Sequence, residues 1–411
     1  MKLTIKSVVL GLSLLLANGS VTHAQDYGRG FEAVKRGDFV TALREWRPLA
    51  EQGDADAQHS LGVMYENGEG VTQDYREAAK WYLLAALQGN ASAQNNLGVL
   101  FGNGEGVTQD YDKAVRLYRL SAEQGNASAQ NNLGGMYKRG EGVTQDYDEA
   151  VRLYRLAAAQ GFAKAQSNLG WMYREGEGVT QDYDEAVRLF RLAAAQGNSN
   201  AQGSLGMMYE NGEGVIQDYD EAVRWYRLSA EQGNASAQYN LGEMYVNGED
   251  YDEAVRWYRL AALQGNVDAQ FNLGVLYQMG EGVTQDYREA AKWYRLAAEQ
   301  GNAGAQSNLG EMYGNGEGVT QDYDEAVRLF RLSAEQGNAG APKYLGEMYA
   351  SGKGVTQNNL YAHMWFNVAE SIGNVTAMEN RGIIAGKMTA ADISKAEDLA
   401  RECVSKNYKG C

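Results

Sequence analysis

The sequence predicts an all-α fold, an α/α solenoid of stacked helical hairpins, from three observations. Between residues 61 and 346 a Leu-Gly dipeptide occurs nine times, with successive copies 36 residues apart except for one spacing of 32. Each copy carries two apolar patterns with helical periodicity, separated by a glycine-rich break. The chain has 50 glycines but only 2 prolines, which suits unbroken helices with glycine at fixed turns. A constant period of this size is typical of repeat architectures. The dipeptides begin at Leu61, Leu97, Leu133, Leu169, Leu205, Leu241, Leu273, Leu309 and Leu345.

The first helix of each repeat, helix A, is predicted from the apolar spacing in the second copy. Ala93, Leu97, Leu100 and Phe101 follow the i, i+4, i+7, i+8 pattern of one helical face. Gly98 lies within this helix, where glycine costs about 1 kcal/mol relative to alanine. Its recurrence requires a packing reason, and we expect it to let neighbouring helix backbones approach closely.

The second helix, helix B, begins after the break at residues 104–109. Tyr111, Ala114, Val115 and Tyr118 lie on one predicted face and should fill the core. Most copies open with Asp-Tyr-x-Glu, in which the aspartate and the glutamate can both satisfy free backbone donors of the first turn. Most copies close with Gln-Gly-Asn, where glycine can end the helix.

The predicted organisation follows from the limits of the repeat. We expect a signal peptide at 1–24, an N-terminal capping hairpin at 25–53, nine repeats at 54–373, and a C-terminal helical cap and tail at 374–411. One repeat lacks four residues between Gly248-Glu249 and Asp250-Tyr251. Because this deletion falls in the predicted loop, both helices of that repeat should survive. Helical hairpins cannot bury their apolar faces alone, so they should stack on their neighbours.

The N-terminus and the charge indicate where the protein works. A start with Lys2 and Lys6, an apolar stretch at 8–17 and a small-residue cleavage site predict export to the periplasm or the medium. No later segment has the roughly 20 apolar residues needed to cross a bilayer, so we expect no membrane insertion. The net charge of −16 disfavours nucleic acid as a partner.

The repeat motifs A-Q-x-x-L-G-x-x-Y, G-x-G-V-x-x-D and Y-x-x-A-x-x-W/L-Y/F-x-x-A resemble the Sel-one-like repeat, a relative of the tetratricopeptide repeat, over residues 38–382. The resemblance implies a right-handed superhelix that serves as an adaptor or scaffold for protein complexes. A cysteine-rich branch of the family, with penicillin-binding or β-lactam-hydrolysing members, has a cysteine pair in each repeat. This chain has only Cys403 and Cys411, which argues against that branch.

Catalytic chemistry is not predicted, and neither is a cofactor or a metal site. The predicted mature chain has two histidines, His59 and His363, which lie about eight repeats apart in sequence, and no serine begins a Ser-x-x-Lys motif. The loop Gly352-Lys353-Gly354 lacks the Ser or Thr of a phosphate loop. In an oxidising compartment, Cys403 and Cys411 can form a disulfide that ties the tail to the last helix.

A partner-binding surface is predicted on helix A, where the positions of His59, Val63 and Glu66 vary most among the copies and share one face. In tetratricopeptide-like solenoids, helix A lines the concave surface. We therefore expect an aromatic-rich patch with a charged rim, as in binding hot spots. Its apolar residues are Trp171, Met207, Tyr239, Phe271 and Val275, and its flanking charges are Lys138, Arg174, Glu210 and Glu243.

Three functions remain open at this point. The first is a non-enzymatic exported adaptor that holds a protein or peptide partner of unknown identity along the helix A groove. The second is a cell-envelope hydrolase of the penicillin-binding or β-lactamase-like kind, and the third is a structural spacer. The patch side chains also have an alternative role, since they can simply fill gaps between neighbouring hairpins.

Overall fold

The computed structural model describes residues 27–411, and every regular element in this range is an α-helix. The predicted fold class, tandem stacked helical hairpins, is confirmed. Two helices precede the repeats: α1, which is described over residues 27–35, and α2 (Phe39–Glu51). The predicted signal peptide lies outside the described residues. Helix A of the nine repeats is α3 (Ala55–Asn67), α5 (Ala91–Asn103), α7 (Ala127–Arg139), α9 (Ala163–Glu175), α11 (Ser199–Asn211), α13 (Ala235–Asn247), α15 (Val267–Met279), α17 (Ala303–Asn315) and α19 (Ala341–Ser351).

Helix B follows helix A in each repeat and packs against it and against helix A of the next repeat. These helices are α4 (Tyr75–Leu87), α6 (Tyr111–Glu123), α8 (Tyr147–Ala159), α10 (Tyr183–Ala194), α12 (Tyr219–Glu231), α14 (Tyr251–Leu263), α16 (Tyr287–Glu299), α18 (Tyr323–Glu335) and α20 (Asn359–Ser371). Two helices, α21 (Val375–Ala385) and α22 (Ala390–Ser405), end the chain. The chain divides into two compact units. Unit 1 runs to Ala201 and includes Asn211–Gln217, and unit 2 comprises Gln202–Glu210 and Asp218–Cys411.

An aspartate caps helix B in eight of the nine repeats, and Asn358 caps α20. In the third repeat the Asp146 carboxylate accepts the Glu149 backbone N–H at 3.0 Å, as predicted. The predicted reciprocal contribution of the glutamate is wrong, because the Asp146 N–H already donates to the Tyr137 carbonyl at 3.0 Å. Glu149 instead forms an ion pair with Arg152 one turn later, at 2.7 Å.

The helix A glycine makes room for an aromatic ring. A Cβ added to Gly98 would lie 2.8 Å from Cε1 of Tyr118 on helix B, so the expected close approach of backbones is the wrong explanation. The same pairing occurs within every repeat. The pairs are Gly62 with Tyr82, Gly98 with Tyr118, Gly134 with Tyr154, Gly170 with Phe190, Gly206 with Tyr226, Gly242 with Tyr258, Gly274 with Tyr294, Gly310 with Phe330 and Gly346 with Phe366.

The loop between the two helices rests on the preceding repeat. Gly106 has φ +68°, and a Cβ added there would lie 2.3 Å from the backbone carbonyl carbon of Tyr75, in the first turn of the preceding helix B. Only glycine satisfies both the backbone angle and the contact. Tyr111 was predicted to fill the core but is 37% exposed, and its hydroxyl accepts a hydrogen bond from Gln109 at 3.1 Å.

The short repeat keeps both helices at 13 residues, α13 and α14, as predicted from the position of its deletion. Its loop contains only Gly248, Glu249 and Asp250 between the two helices. The loop glycine that rests on the preceding helix B in other repeats is therefore absent. Tyr219, at the start of that preceding helix, is 56% exposed.

Glutamine side chains link the helices within and between repeats. Gln124, at the end of helix B, donates to the Gln94 side chain on helix A of the same repeat at 2.7 Å. Buried Gln94 in turn donates to the Ala86 carbonyl of the preceding repeat at 3.2 Å. The buried amide thus has its hydrogen bonds satisfied by fixed partners, which sets the spacing of neighbouring hairpins.

The C-terminal helix α22 packs against α20. Thr389 caps its N-terminus, since the Thr389 hydroxyl accepts the Asp392 backbone N–H at 3.2 Å. Cys403 lies on α22, is buried, and forms a disulfide with Cys411, with Cα atoms 5.5 Å apart. The disulfide closes the tail back onto the helix that covers the last repeat.

Candidate interaction site

The nine residues predicted to bind a partner are all half-buried. They lie on helix A of five successive repeats, on the face whose residues vary among the copies. Lys138, Trp171 and Arg174 belong to unit 1. The other six belong to unit 2, and they are Met207, Glu210, Tyr239, Glu243, Phe271 and Val275.

In unit 1, Trp171 packs edge-on against Phe190 of helix B, with ring centroids 5.9 Å apart. The guanidinium of Arg174 lies 5.1 Å from the Trp171 ring centroid and forms an ion pair with Glu213 at 2.7 Å. Lys138 forms an equivalent ion pair with a glutamate of the following repeat, Glu177, at 2.7 Å. Each of the two predicted cations is therefore paired with a glutamate in the loop between helices A and B of the following repeat.

In unit 2, Tyr239 packs on Tyr258 of helix B, with ring centroids 5.9 Å apart. Glu243 accepts hydrogen bonds from the Tyr258 hydroxyl and, at 2.6 Å, from the Asn272 amide. Burial and the Glu243 carboxylate both raise the pKa of Tyr258. This predicted rim charge therefore serves an internal hydrogen-bond network.

The remaining patch residues also contact the aromatic of helix B or its surroundings. Phe271 lies over Tyr294, with ring centroids 5.9 Å apart, and Val275 packs against the same buried cluster. Glu210 accepts a hydrogen bond from the Tyr226 hydroxyl at 2.6 Å. The patch side chains therefore pack on one side and leave a partly exposed edge on the other.

A cavity of about 540 Å³ opens on the same face of unit 1, lined by residues of α5 to α9. Two predicted site residues, Lys138 and Trp171, lie at this cavity. Its other polar groups are Arg139, four asparagines and the tyrosines of two helices B, and Gly135 also lines it; the sequence analysis selected none of these. The sequence contained one signal for this cavity. Gly135 is the smallest residue at its position among the nine copies, and a missing side chain leaves space on that face.

Between residues 27 and 411, no cluster of three His, Cys, Asp or Glu side chains could hold a metal ion. Within this range, no helix combines the length and apolarity needed to cross a membrane. His363 is 2% exposed, and burial lowers its pKa.

Comparison with known proteins identifies the repeats. The Sel1 repeat model matches nine segments, at residues 55–90, 91–126, 127–162, 163–198, 199–234, 235–266, 267–302, 303–338 and 343–374. A curated relative, the exopolysaccharide production negative regulator of Rhizobium leguminosarum bv. viciae, is 43% identical over 53 residues, or 13% of this chain. The chain spans about a fifth of that relative's length.

Two solved structures are similar over longer stretches. A protective antigen present in uropathogenic Escherichia coli strains, which displays an SLR fold, is 35% identical and has a TM-score of 0.53, covering 96% of this chain and 94% of its own. A Sel1 repeat protein from Oxalobacter formigenes is 33% identical with a TM-score of 0.54, covering 57% of this chain and 96% of its own. With nine matched repeats, the chain belongs to the Sel1 repeat family, whose fold is a scaffold for protein interactions.

Proposed function

We propose that this chain is an exported, non-enzymatic scaffold that binds a protein or peptide partner along the helix A face. The observation that carries the proposal is the contrast between constant and variable positions. The glycine beneath each helix B aromatic is the same in all nine repeats, whereas the residue after it ranges from Gly135 to Trp171 and Glu243. Packing holds the frame constant, and the half-exposed edges differ, as recognition of one particular partner requires.

Export is part of the proposal and rests on the N-terminal sequence pattern. The similarity to a protein described as a protective antigen supports it. The regulator of exopolysaccharide production covers too little of this chain to suggest a substrate. It does supply a process, the making of cell-surface polysaccharide, in which a protein partner can be sought.

A site-specific photocrosslinking experiment tests the proposal. A photoreactive phenylalanine analogue is placed at Tyr239 and at Val275 on helix A, and at the matched helix B positions Leu260 and Leu296. These leucines are 40% and 43% exposed, so the controls are accessible. Crosslinks to the same partner from both helix A positions and from neither leucine support the proposal. Crosslinks from the leucines alone, or from no position in the native host, contradict it.

The absence of catalysis is tested separately. Purified mature protein is incubated with nitrocefin and with muropeptides, and product formation is followed. We expect no turnover above the rate of the heat-denatured chain. Turnover abolished by a single substitution would instead show that the chain is an envelope hydrolase.

A further inference from the structure

The helix B aromatic beneath each helix A glycine is almost fully buried in all nine repeats, with exposures of 0–6%. It is a tyrosine in six repeats and a phenylalanine in three. A buried hydroxyl without a partner costs about 1–3 kcal/mol, so each tyrosine is expected to have one. The residues are Tyr82, Tyr118, Tyr154, Phe190, Tyr226, Tyr258, Tyr294, Phe330 and Phe366.

Four of the six hydroxyls donate to a side chain on helix A of their own repeat. Tyr82 donates to Glu66 and Tyr258 to Glu243, while Tyr226 donates to Glu210 at 2.6 Å and Tyr294 to Gln278 at 2.7 Å. The three phenylalanines occur where helix A has Arg174, Gly314 or Ala350 at the position of Glu66. Glu243 lies at the position of Val63, and the other three acceptors lie at the position of Glu66. Each of the four tyrosines therefore has a glutamate or glutamine at one of these two helix A positions.

Tyr118 and Tyr154 have no such acceptor. The two positions are occupied by Val99 and Gly102 in one repeat and by Gly135 and Lys138 in the other, and neither hydroxyl has a hydrogen-bond partner among the described residues of unit 1. The two side chains are 6% and 3% exposed. Burial raises the pKa of each to about 12, so both hydroxyls keep their protons at neutral pH and remain donors.

Both tyrosines line the cavity of about 540 Å³ described above. Gly135 makes room there, since a Cβ at this position would lie 3.7 Å from the Tyr154 hydroxyl and 3.1 Å from Nη1 of Arg139. Because the positive charge of Arg139 favours the deprotonated form of both tyrosines, it opposes the rise in their pKa values. Arg139 uses Nε and Nη2 to pair with Glu141.

The described residues that line the cavity include basic side chains and no acidic ones. Although the chain has 53 acidic residues against 37 basic ones, no aspartate or glutamate is among the unit 1 residues that line it, whereas Lys138 and Arg139 are. Glu177 and Glu141 neutralise part of this charge from outside the lining. Two hydroxyl donors beside a guanidinium match a carboxylate, which accepts at both oxygens and forms its strongest hydrogen bonds with such groups.

The repeat alone does not produce this cavity. Two further cavities, of about 460 and 430 Å³, are lined by equivalent residues in different repeats. Arg119, Glu149 and Leu156 in one correspond to Arg295, Glu325 and Leu332 in the other. These two cavities are lined by residues that the repeat keeps, whereas the tyrosine-lined cavity includes Gly135 and Lys138, at positions that vary among the copies.

We infer that the cavity between Tyr118 and Tyr154 binds a carboxylate of a peptide partner, with the two tyrosine hydroxyls and Arg139 donating to its oxygens. The inference rests on the proposed scaffold function and names the chemistry of its ligand. A glutamate or aspartate side chain and a chain terminus both present this group. At about 540 Å³, the cavity is large enough to take flanking peptide as well.

The test measures peptide binding to the full mature chain by isothermal titration calorimetry. The probes are a pentaglycine peptide with a central glutamate and both ends capped, its central-glutamine analogue, and an uncapped pentaglycine. We expect the glutamate peptide to bind at least about tenfold more tightly than the glutamine peptide. Binding of the uncapped peptide alone would assign the site to a chain terminus. Equal binding of the capped peptides without binding of the uncapped one, or no binding of any probe, would overturn the inference.

The variants keep the fold intact. The double substitution Tyr118→Phe with Tyr154→Phe places the aromatic that three other repeats already use, and we expect it to weaken carboxylate binding at least about tenfold. The control pair, Tyr226→Phe with Tyr294→Phe, removes hydroxyls that have internal partners and should leave binding unchanged. Equal loss in both pairs would contradict the assignment of the site.

A second variant, Gly135→Val, fills the cavity with the residue found at Val63, Val99 and Val275. We expect it to abolish peptide binding without lowering the melting temperature measured by circular dichroism. Retained binding would place the ligand elsewhere. Helix A crosslinks at Tyr239 and Val275, in unit 2, do not depend on this cavity. They can persist if the carboxylate site fails, so the two proposals fail independently.

Discussion

The repeat at 127–162 and the repeat at 267–302 use the same pair of helices but treat their central tyrosine differently. Tyr294 is 0% exposed and donates to Gln278 at 2.7 Å, so its polar group is satisfied internally. Tyr154 is 3% exposed and has Lys138 at the matching position. One hairpin is complete in itself, whereas the other leaves a donor for a ligand. The two helices A differ at both acceptor positions, with Gly135 and Lys138 in one and Val275 and Gln278 in the other, and these residues decide whether the tyrosine hydroxyl has an acceptor within the protein.

We call a repeat closed when its central tyrosine hydroxyl has an acceptor within the protein, and open when it has none. Replacing the glycine beneath the ring should reduce the free energy of unfolding more in closed repeats than in open ones. A Cβ at Gly206 would lie 2.5 Å from Tyr226, against 2.9 Å from Tyr154 for one at Gly134. We expect Gly206→Ala to reduce the free energy of unfolding by about 2 kcal/mol and Gly134→Ala by about 1 kcal/mol, after the gain in helix propensity. Urea denaturation followed by circular dichroism measures both. A larger loss of unfolding free energy for Gly134→Ala would show that the open repeat does not have more space beneath its tyrosine ring.

Lys138→Glu should convert the open repeat into a closed one. The new carboxylate would stand where Glu66 accepts from Tyr82, but it would also replace the Lys138–Glu177 ion pair with two like charges. These effects oppose each other, so we expect the unfolding free energy to change by less than about 1 kcal/mol. Peptide carboxylate binding should fall at least about tenfold, because the acceptor inside the protein competes and adds negative charge. Calorimetry and urea denaturation check both effects. Tighter carboxylate binding by this variant would refute the comparison.

Gln278→Ala should open the closed repeat. The buried Tyr294 hydroxyl would lose its acceptor at a cost of about 1 kcal/mol. Adding Tyr294→Phe should recover most of that loss, since the hydroxyl then disappears with its partner. The double-mutant cycle is measured by urea denaturation. Strictly additive losses would mean that the hydrogen bond contributes nothing to stability.

Removing the open hydroxyls should have the smallest effect on stability. In the absence of ligand we expect Tyr118→Phe and Tyr154→Phe to change the unfolding free energy by less than about 0.5 kcal/mol each, because neither hydroxyl has a protein partner to lose. Tyr294→Phe, which breaks an internal bond, should cost about 1 kcal/mol. A similar cost at Tyr154 would reveal a bond to the protein in solution.

The repeat frame was predictable because its signals are local. The aspartate caps, the turn at the end of helix B and the loop position of the deletion before Asp250 all follow from residues close in sequence. The purpose of Gly98 was misread, since its contact is with a ring on the other helix. Tyr111 was misplaced because the fixed helical period cannot show that the loop lifts the first residue of helix B out of the core.

The sequence by itself determined the hairpin, its period and the stacking of its copies, because apolar periodicity and caps act within one turn of helix. Only the tertiary structure showed which tyrosine hydroxyls are satisfied. The acceptor lies on another helix, 16 residues away in the case of Tyr294 and Gln278, and a hydrogen bond requires the two atoms to come within about 3 Å. The packing of the two helices sets that distance, and the lack of a protein acceptor at Tyr118 and Tyr154 becomes visible only once the helices are in place.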